Sequence, residues 1–261
     1  RVGTSRWDRG MTTITAPGLP ETLVIPSHWN GPVRFGNGGY SAGVFATGRG
    51  PAARVALRRP VPLARPLRVV EGGATALVFS RSRVLGLRRL VAEVTALPSA
   101  APLEPPARPT SDDAEAAAAR YPWADDRHAL SNCAVCSPHR RDGLGVTPGP
   151  LAPGLLGAAF HTDSRLAAAE DRDVVRPEFV WAALDCPSFP AADLLLGNLR
   201  LLGTISVTRA RDVYVGESFA VVGWTLALGT RSVRTAAALV DADGDVVASA
   251  ENIWVAPRRR S

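Results

Sequence analysis

The chain has 261 residues, 46% of them hydrophobic, which is enough to bury a substantial core in one large domain or two small ones. All 30 basic residues are Arg and outnumber 24 acidic ones, but the net charge of +6 is scattered apart from Arg258-Arg259-Arg260, which argues against a nucleic-acid partner. No apolar run has the length of a spanning helix and no signal-like stretch opens the chain, so the expectation is a cytoplasmic protein without a membrane partner.

Residues 1–20 carry Pro, Gly and Thr without periodicity and read as an N-terminal extension; those before Met11 are set aside from the fold. Residues 21–25 form the first short strand. It leads into Pro26-Ser27-His28-Trp29-Asn30-Gly31-Pro32, a loop in which His28 reads as structural more than as a base. The stretch that organises the chain follows: Val33-Arg34-Phe35-Gly36-Asn37-Gly38-Gly39-Tyr40-Ser41-Ala42-Gly43-Val44-Phe45-Ala46. Asn37 is suited to cap a helix, and Gly38 and Gly39 leave its first N–H groups uncovered by any Cβ. Such donors suit an anion or a developing oxyanion. Ala42, Gly43 and Ala46 keep the helix thin, as a helix wrapped by a curved sheet must be. The competing reading of the glycines is a tight surface turn.

Residues 54–59, 67–71, 75–83 and 85–95 then read as successive strands, with Arg58, Arg65, Arg68, Arg81 and Arg88 on their solvent side. Residues 98–132, with a Pro-rich opening, the acidic pair Asp112-Asp113 and an Ala run, describe a linker containing a short helix and closing on Asp125-Asp126-Arg127-His128. Cys133-Ala134-Val135-Cys136 has the spacing of a zinc or redox pair, with His139 nearby. No second CxxC follows, and Cys186 is distant in sequence. Free thiols and no metal are therefore the expectation.

A strand over 155–161 precedes a second helix, Arg176-Pro177-Glu178-Phe179-Val180-Trp181-Ala182-Ala183-Leu184-Asp185-Cys186-Pro187, opened by Pro177 and stopped by Pro187. Strands over 199–208, 218–228, 232–240 and 246–256 follow, the last two joined by Asp241-Ala242-Asp243-Gly244-Asp245 as a solvated hairpin turn and not as a calcium loop. The order strand, helix, several strands occurs twice. Setting Asn37 against Arg176 places Ala46 opposite Asp185, so the chain reads as a duplication.

These residues carry a family resemblance over roughly residues 20–257. The repeated unit resembles the double hotdog fold, and Phe35-Gly36-Asn37-Gly38-Gly39-Tyr40 resembles the His-Gly-Gly or Asn-Gly-Gly element of acyl-CoA thioesterases. Trp181-Ala182-Ala183-Leu184-Asp185-Cys186-Pro187, Asp243-Gly244-Asp245-Val246-Val247-Ala248 and Cys133-Ala134-Val135-Cys136 with Asp142-Gly143-Leu144 resemble actinobacterial thioesterase-like proteins. The resemblance implies an α+β chain of two antiparallel sheets, each wrapped around a central helix. Its halves are residues 21–97 and 133–261, joined by the linker, and two such chains pair as a homodimer. The implied activity is hydrolysis of an acyl thioester carried on coenzyme A or an acyl carrier protein, without a cofactor. The alternatives are a non-catalytic acyl-thioester-binding protein and a polyketide tailoring enzyme or dehydratase on the same fold. Asn37 stands where many relatives have His, and the acid-then-His helix motif of hydratases and dehydratases is absent, which places hydration and dehydration below hydrolysis.

One composite site is expected. Asp185 is its acid–base residue or nucleophile, across from Asn37, Gly38 and Gly39, with Tyr40 and Trp181 binding substrate. The opposite pairing, Ala46 with Arg176-Pro177-Glu178, lacks both the acid and the glycines. Placement in the last turn of a helix among apolar neighbours should raise the pKa of Asp185; the competing role for Asp185 is a cap on the Pro187-Ser188 turn. Neither a His nor an Arg adjoins Cys186, which is not expected to be the nucleophile.

Overall fold

The computed structural model describes residues 20–32, 34–82, 86–124 and 128–257. Expectations that fell on the N-terminal extension, Val33, Arg83, Leu85, Asp125, Asp126, Arg127 and Arg258-Arg259-Arg260 lie outside the described residues.

The strands are β1 (Thr22–Leu23), β2 (Ala52–Leu57), β3 (Leu67–Gly72), β4 (Thr75–Arg81), β5 (Arg88–Ala96), β6 (Gly149–Ala152), β7 (Leu155–His161), β8 (Leu201–Arg209), β9 (Ser218–Leu228), β10 (Ser232–Val240) and β11 (Val246–Val255). The helices are α1 (Gly38–Phe45), α2 (Ser111–Ala118), α3 (Pro177–Ala183) and α4 (Ala191–Leu196). Among the described residues, all 11 strands join one antiparallel sheet, in the order β1-β3-β4-β5-β2-β8-β11-β10-β9-β7-β6. This corrects the expectation of two sheets. Ala52 to Ala56 of β2 pair with Thr208 to Thr204 of β8, so the ladder runs unbroken through the middle of the molecule. Within that sheet the order repeats: β1-β3-β4-β5-β2 has its counterpart in β7-β9-β10-β11-β8, with α1 following the first strand of one set and α3, then α4, following the first strand of the other.

Alternation places Val55, Leu67, Val69, Val78 and Val94 on the concave face, while Arg58, Arg68, Arg81 and Arg88 are exposed on the other. That inner face wraps α1 and α3, and Phe45, Phe160, Phe179 and Phe219 are fully buried between them. α1 is buried nearly all round, including Gly39, Tyr40, Ser41, Ala42, Gly43 and Phe45. The two helices run antiparallel in very close contact. A Cβ on Gly39 would stand 2.6 Å from the Trp181 carbonyl oxygen, and one on Gly43 would stand 2.5 Å from the Glu178 Cα. Glycine at these two positions, one turn apart, lets the backbones approach this closely.

Residues 98–132 do more than connect. Thr110 and Asp113 form a capping box that starts α2, and α2 packs through Ala114 and Ala117 on β6 and β7. Beyond it, Tyr121 and Trp123 join Phe189, Leu194 and Trp254 in a second apolar cluster. β6, α4 and a short 3-10 turn, Cys186–Ser188, have no counterpart in the sequence reading.

Candidate functional site

α1 begins as the residues require. Asn37 has an extended backbone (φ −58°, ψ 138°), and its side-chain oxygen accepts from the Tyr40 N–H at 2.8 Å. The Gly39 N–H donates to Asp185 Oδ2 at 2.7 Å. The Gly38 N–H has no acceptor among the described residues.

Asp185 reaches this helix end because α3 stops early. Pro187 has no N–H to continue the ladder, so the chain turns at Leu184 and enters the 3-10 turn with Asp185 just before it. Asp185 is thus not in the last turn of α3, as the sequence suggested, but at the junction. Its carboxylate lies at the N-terminus of α1, where a negative charge is favoured. Nor does its side chain cap the Pro187-Ser188 turn: the Ser188 N–H and Oγ both donate to the Asp185 backbone carbonyl, at 3.0 and 2.7 Å. The side chain is free for another role. Asp185 is 3% exposed, and Oδ1 has no hydrogen-bond partner among the described residues. Burial pushes its pKa up to about 7; the Gly39 N–H opposes this, the neighbouring Cys133 adds to it, and the Asn37 amide opposes it.

Asn37, Gly38 and Asp185 line a cavity of about 370 Å³. Its wall is mostly apolar and includes Tyr121, Trp123, Phe189, Leu202 and Trp254. Sequence reasoning missed this wall, whose residues come from the connector, α4's approach, β8 and β11. Tyr40 and Trp181, expected to bind substrate, do not line it. Tyr40 is buried in the core, stacked on Trp29 with ring centroids 4.7 Å apart and next to Phe179 at 5.8 Å. Burial, reinforced by Glu178, pushes its hydroxyl pKa up to about 12. Trp181 is likewise buried, and its carbonyl backs Gly39. One residue of helix rotates a side chain about 100°, which carries Tyr40 from the Gly39 face into the core.

Gly39 also has a different part from the one expected. Its N–H is already taken by Asp185, and a Cβ there would stand 2.5 Å from the Asp185 Cβ. Gly39 therefore positions the carboxylate, and a valine at this position would push the helices apart instead of merely obstructing a ligand. Gly38 faces the Leu202 side chain and the cavity.

The three cysteines of the chain meet beside Asp185, although Cys186 is distant from the CxxC pair in sequence. All three line the same cavity, and none forms a disulfide. The Asn37 amide points at Cys133 and Cys186, 3.9 Å from each sulfur. Hydrogen bonds from Cys136 and Cys186 hold the Cys133 thiol pKa down, while donating to Cys133 holds the pKa of the other two up.

The histidines do not line this cavity. His28 packs on Trp29 and lines a separate polar cavity with His139 and Arg140, His128 lies tilted against Trp123 with ring centroids 3.7 Å apart, and His161 lies 2.9 Å from the Glu115 carboxylate.

The sequence matches no protein-family model, and no curated protein is similar to it. Solved structures are similar in fold. A candidate thioesterase II from Thermobifida fusca superposes with a TM-score of 0.57 at 16% identity, covering 91% of this chain and 93% of that one. The TesB protein of Mycobacterium avium subspecies paratuberculosis gives 0.53 at 12% identity, over 85% and 87%. A hot dog fold protein of unknown function from Alicyclobacillus acidocaldarius gives 0.51 at 11% identity, over 92% and 93%. No helix among the described residues is long and apolar enough to cross a membrane. At these identities the likeness is one of architecture, and the chain has a hotdog fold.

Proposed function

We propose that the protein hydrolyses an acyl thioester carried on coenzyme A or an acyl carrier protein, as a double hotdog with halves over residues 21–97 and 133–261 and one working site. The observation that carries this reading is the pairing, at one cavity wall, of a buried carboxylate held by one oxygen on the Gly39 N–H with an uncommitted N–H on Gly38. Acyl transfer needs those two groups together: a base or nucleophile, and a donor aimed where the carbonyl oxygen becomes negative.

In this reading the acyl group lies along Tyr121, Trp123, Phe189 and Trp254, in a volume typical of small-ligand sites. The thioester carbonyl oxygen accepts from the Gly38 N–H. Asp185 Oδ1 takes a proton from water as the water oxygen attacks the carbonyl carbon. When the tetrahedral intermediate collapses, the C–S bond breaks and the thiolate recovers that proton, leaving a carboxylic acid and a free thiol. Direct attack by Oδ1 is the variant of the same route, through an acyl anhydride that water then opens at the Asp185 carboxyl carbon; single turnover in ¹⁸O-water separates the two, because that opening leaves a protein oxygen in the product and the water oxygen on Asp185.

The test is a panel of acyl-CoAs of increasing length, and acyl carrier protein thioesters, with release of free thiol followed. Turnover of one class, abolished in Asp185→Asn, supports the proposal. Tight binding of an acyl thioester with no thiol released would overturn hydrolysis in favour of a non-catalytic acyl-binding protein. The homodimer that belongs to the same reading is checked by light scattering.

A further inference from the structure

The three cysteines are not needed by the chemistry above, yet they converge on one point beside it. We propose that Cys133, Cys136 and Cys186 form a three-thiolate binding site for a single Zn²⁺ ion, with its fourth position open to the cavity. All three sulfurs lie within 4.8 Å of one another, and no other group of three His, Cys, Asp or Glu among the described residues is placed to hold a metal. Around a tetrahedral zinc with Zn–S bonds of about 2.3 Å, sulfurs are about 3.8 Å apart, so closing the set onto an ion needs side-chain adjustments of about 1 Å.

The placement does not follow from sequence proximity. Every cysteine of the chain is in the cluster, and Cys186 arrives from the far side of α3. The CxxC pair sits on a loop fastened on several sides. The Ala134 N–H donates to Asn30 O at 2.7 Å, the Val146 N–H to Val135 O at 2.8 Å, and the Thr147 hydroxyl to Cys136 O at 3.0 Å. Cys186 is carried on the 3-10 turn closed by Ser188, whose hydroxyl also accepts from the Asn252 amide and the Trp254 indole N–H. Two separately braced segments thus present their sulfurs to one point, as a preorganised ligand set requires. The Asn37 amide, 3.9 Å from two of the sulfurs, supplies the outer hydrogen bonds that thiolates accept when they bind a metal.

The ion follows from the ligand type. Three thiolates select a soft or borderline-soft cation over magnesium or calcium, which take oxygen ligands. Among the thiophilic ions, a divalent one leaves a net charge of −1 on the cluster and a monovalent one −2; the mostly apolar wall favours the smaller residual charge. Three protein ligands with an accessible fourth position is the arrangement in which zinc keeps an exchangeable ligand.

The experiment uses the full chain, reduced and stripped of metal with a chelator, and Co²⁺ as the probe. One equivalent of Co²⁺ should produce thiolate-to-cobalt charge transfer in the near ultraviolet with visible bands of tetrahedral intensity, and one equivalent of Zn²⁺ should abolish both. Cys133→Ser, Cys136→Ser and Cys186→Ser should each lower the charge-transfer intensity by about one third and weaken binding by roughly 10²-fold or more. Circular dichroism identifies any variant that does not fold, and the unsubstituted chain then decides by itself. Reduced protein with three titratable thiols that gives no charge-transfer band at equimolar Co²⁺ would overturn the site. So would a full-intensity band in a folded Cys186→Ser protein, or a Cys133–Cys136 disulfide forming readily in air in a chain that binds no Co²⁺ when reduced.

Discussion

The α1–α3 pair has two ends built on the same antiparallel frame, and they differ in where the acid comes from. At one end the N-terminus of α1 meets Asp185, a carboxylate from the other segment. The acid uses one oxygen on Gly39 and leaves the second without a partner, and the Gly38 N–H stays uncommitted. At the other end the N-terminus of α3 meets the C-terminus of α1, where Ala46 stands and no acid is offered. The acid there is Glu178, on the same helix as the N-terminus it faces. It lies 3.5 Å from Arg176, whose guanidinium sits over the Phe179 ring at 4.5 Å. Pro177 at the first position has no N–H to give. An acid arriving from the other segment leaves a helix N–H uncommitted beside it, which is the arrangement the proposed acyl-transfer chemistry uses.

The largest expected effect follows from removing that acid. Asp185→Asn should lower thioester turnover by roughly 10²–10⁴-fold, the range for loss of a general base, with ligand binding and thermal stability retained. Glu178→Gln at the opposite end should stay within about two-fold of the unsubstituted rate, given that Glu178 has no part in the proposed acyl-transfer chemistry. Equal losses in the two variants would erase the distinction between the ends.

A second substitution makes the first end resemble the second. Gly38→Pro places proline at the first helical position, where it is tolerated, after an Asn37 backbone already extended as a pre-proline residue must be. It removes only the Gly38 N–H, and turnover should fall by about 10²-fold relative to Gly38→Ala, as for loss of one oxyanion donor. Gly38→Ala is the control for bulk, since either Cβ stands 2.8 Å from the movable end of Leu202. Equal rates in the two proteins would remove Gly38 from the proposed chemistry.

The two close-contact glycines test whether the frame itself is equivalent at both ends. Gly39→Ala and Gly43→Ala each bring a Cβ to 2.5 Å from an atom of the partner segment, so each should cost about 1–3 kcal/mol of stability, read as a fall in Tm of several degrees. Only Gly39→Ala should also impair turnover, since only Gly39 holds Asp185. The smallest effect is expected for Asn37→Ala, which removes the bond to the Tyr40 N–H and should cost about 1 kcal/mol. Urea denaturation measures it directly.

How far the sequence reached follows from what is local in it. The strands over 155–161 and 232–240 were legible to the residue, and the starts of α1 and α3 were marked by Asn37 and Pro177, because alternation, caps and proline act within a few residues. The hairpin at Asp241 was equally local, its side chain accepting from the Asp243 and Asp245 N–H groups. The placement of Asp185 across from Gly39 came from the resemblance to a paired hotdog and not from any local pattern, and the Gly39 N–H does donate to Asp185. What was not legible depended on chain segments meeting across the fold. Tyr121 and Trp123 lie in what composition described as a linker, and they close a cavity only because α2 docks on β6 and β7. Tyr40 and Trp181 carried the aromatic character of a substrate wall, but their rotation about the helix axes sent them into the core. Cys186 is 50 residues beyond Cys136, and nothing in the intervening sequence records that the two come together. Local residue pattern determined the elements and their order; the single continuous sheet, the site's apolar wall and the thiol cluster were decided by packing, which acts between residues that sequence order keeps apart.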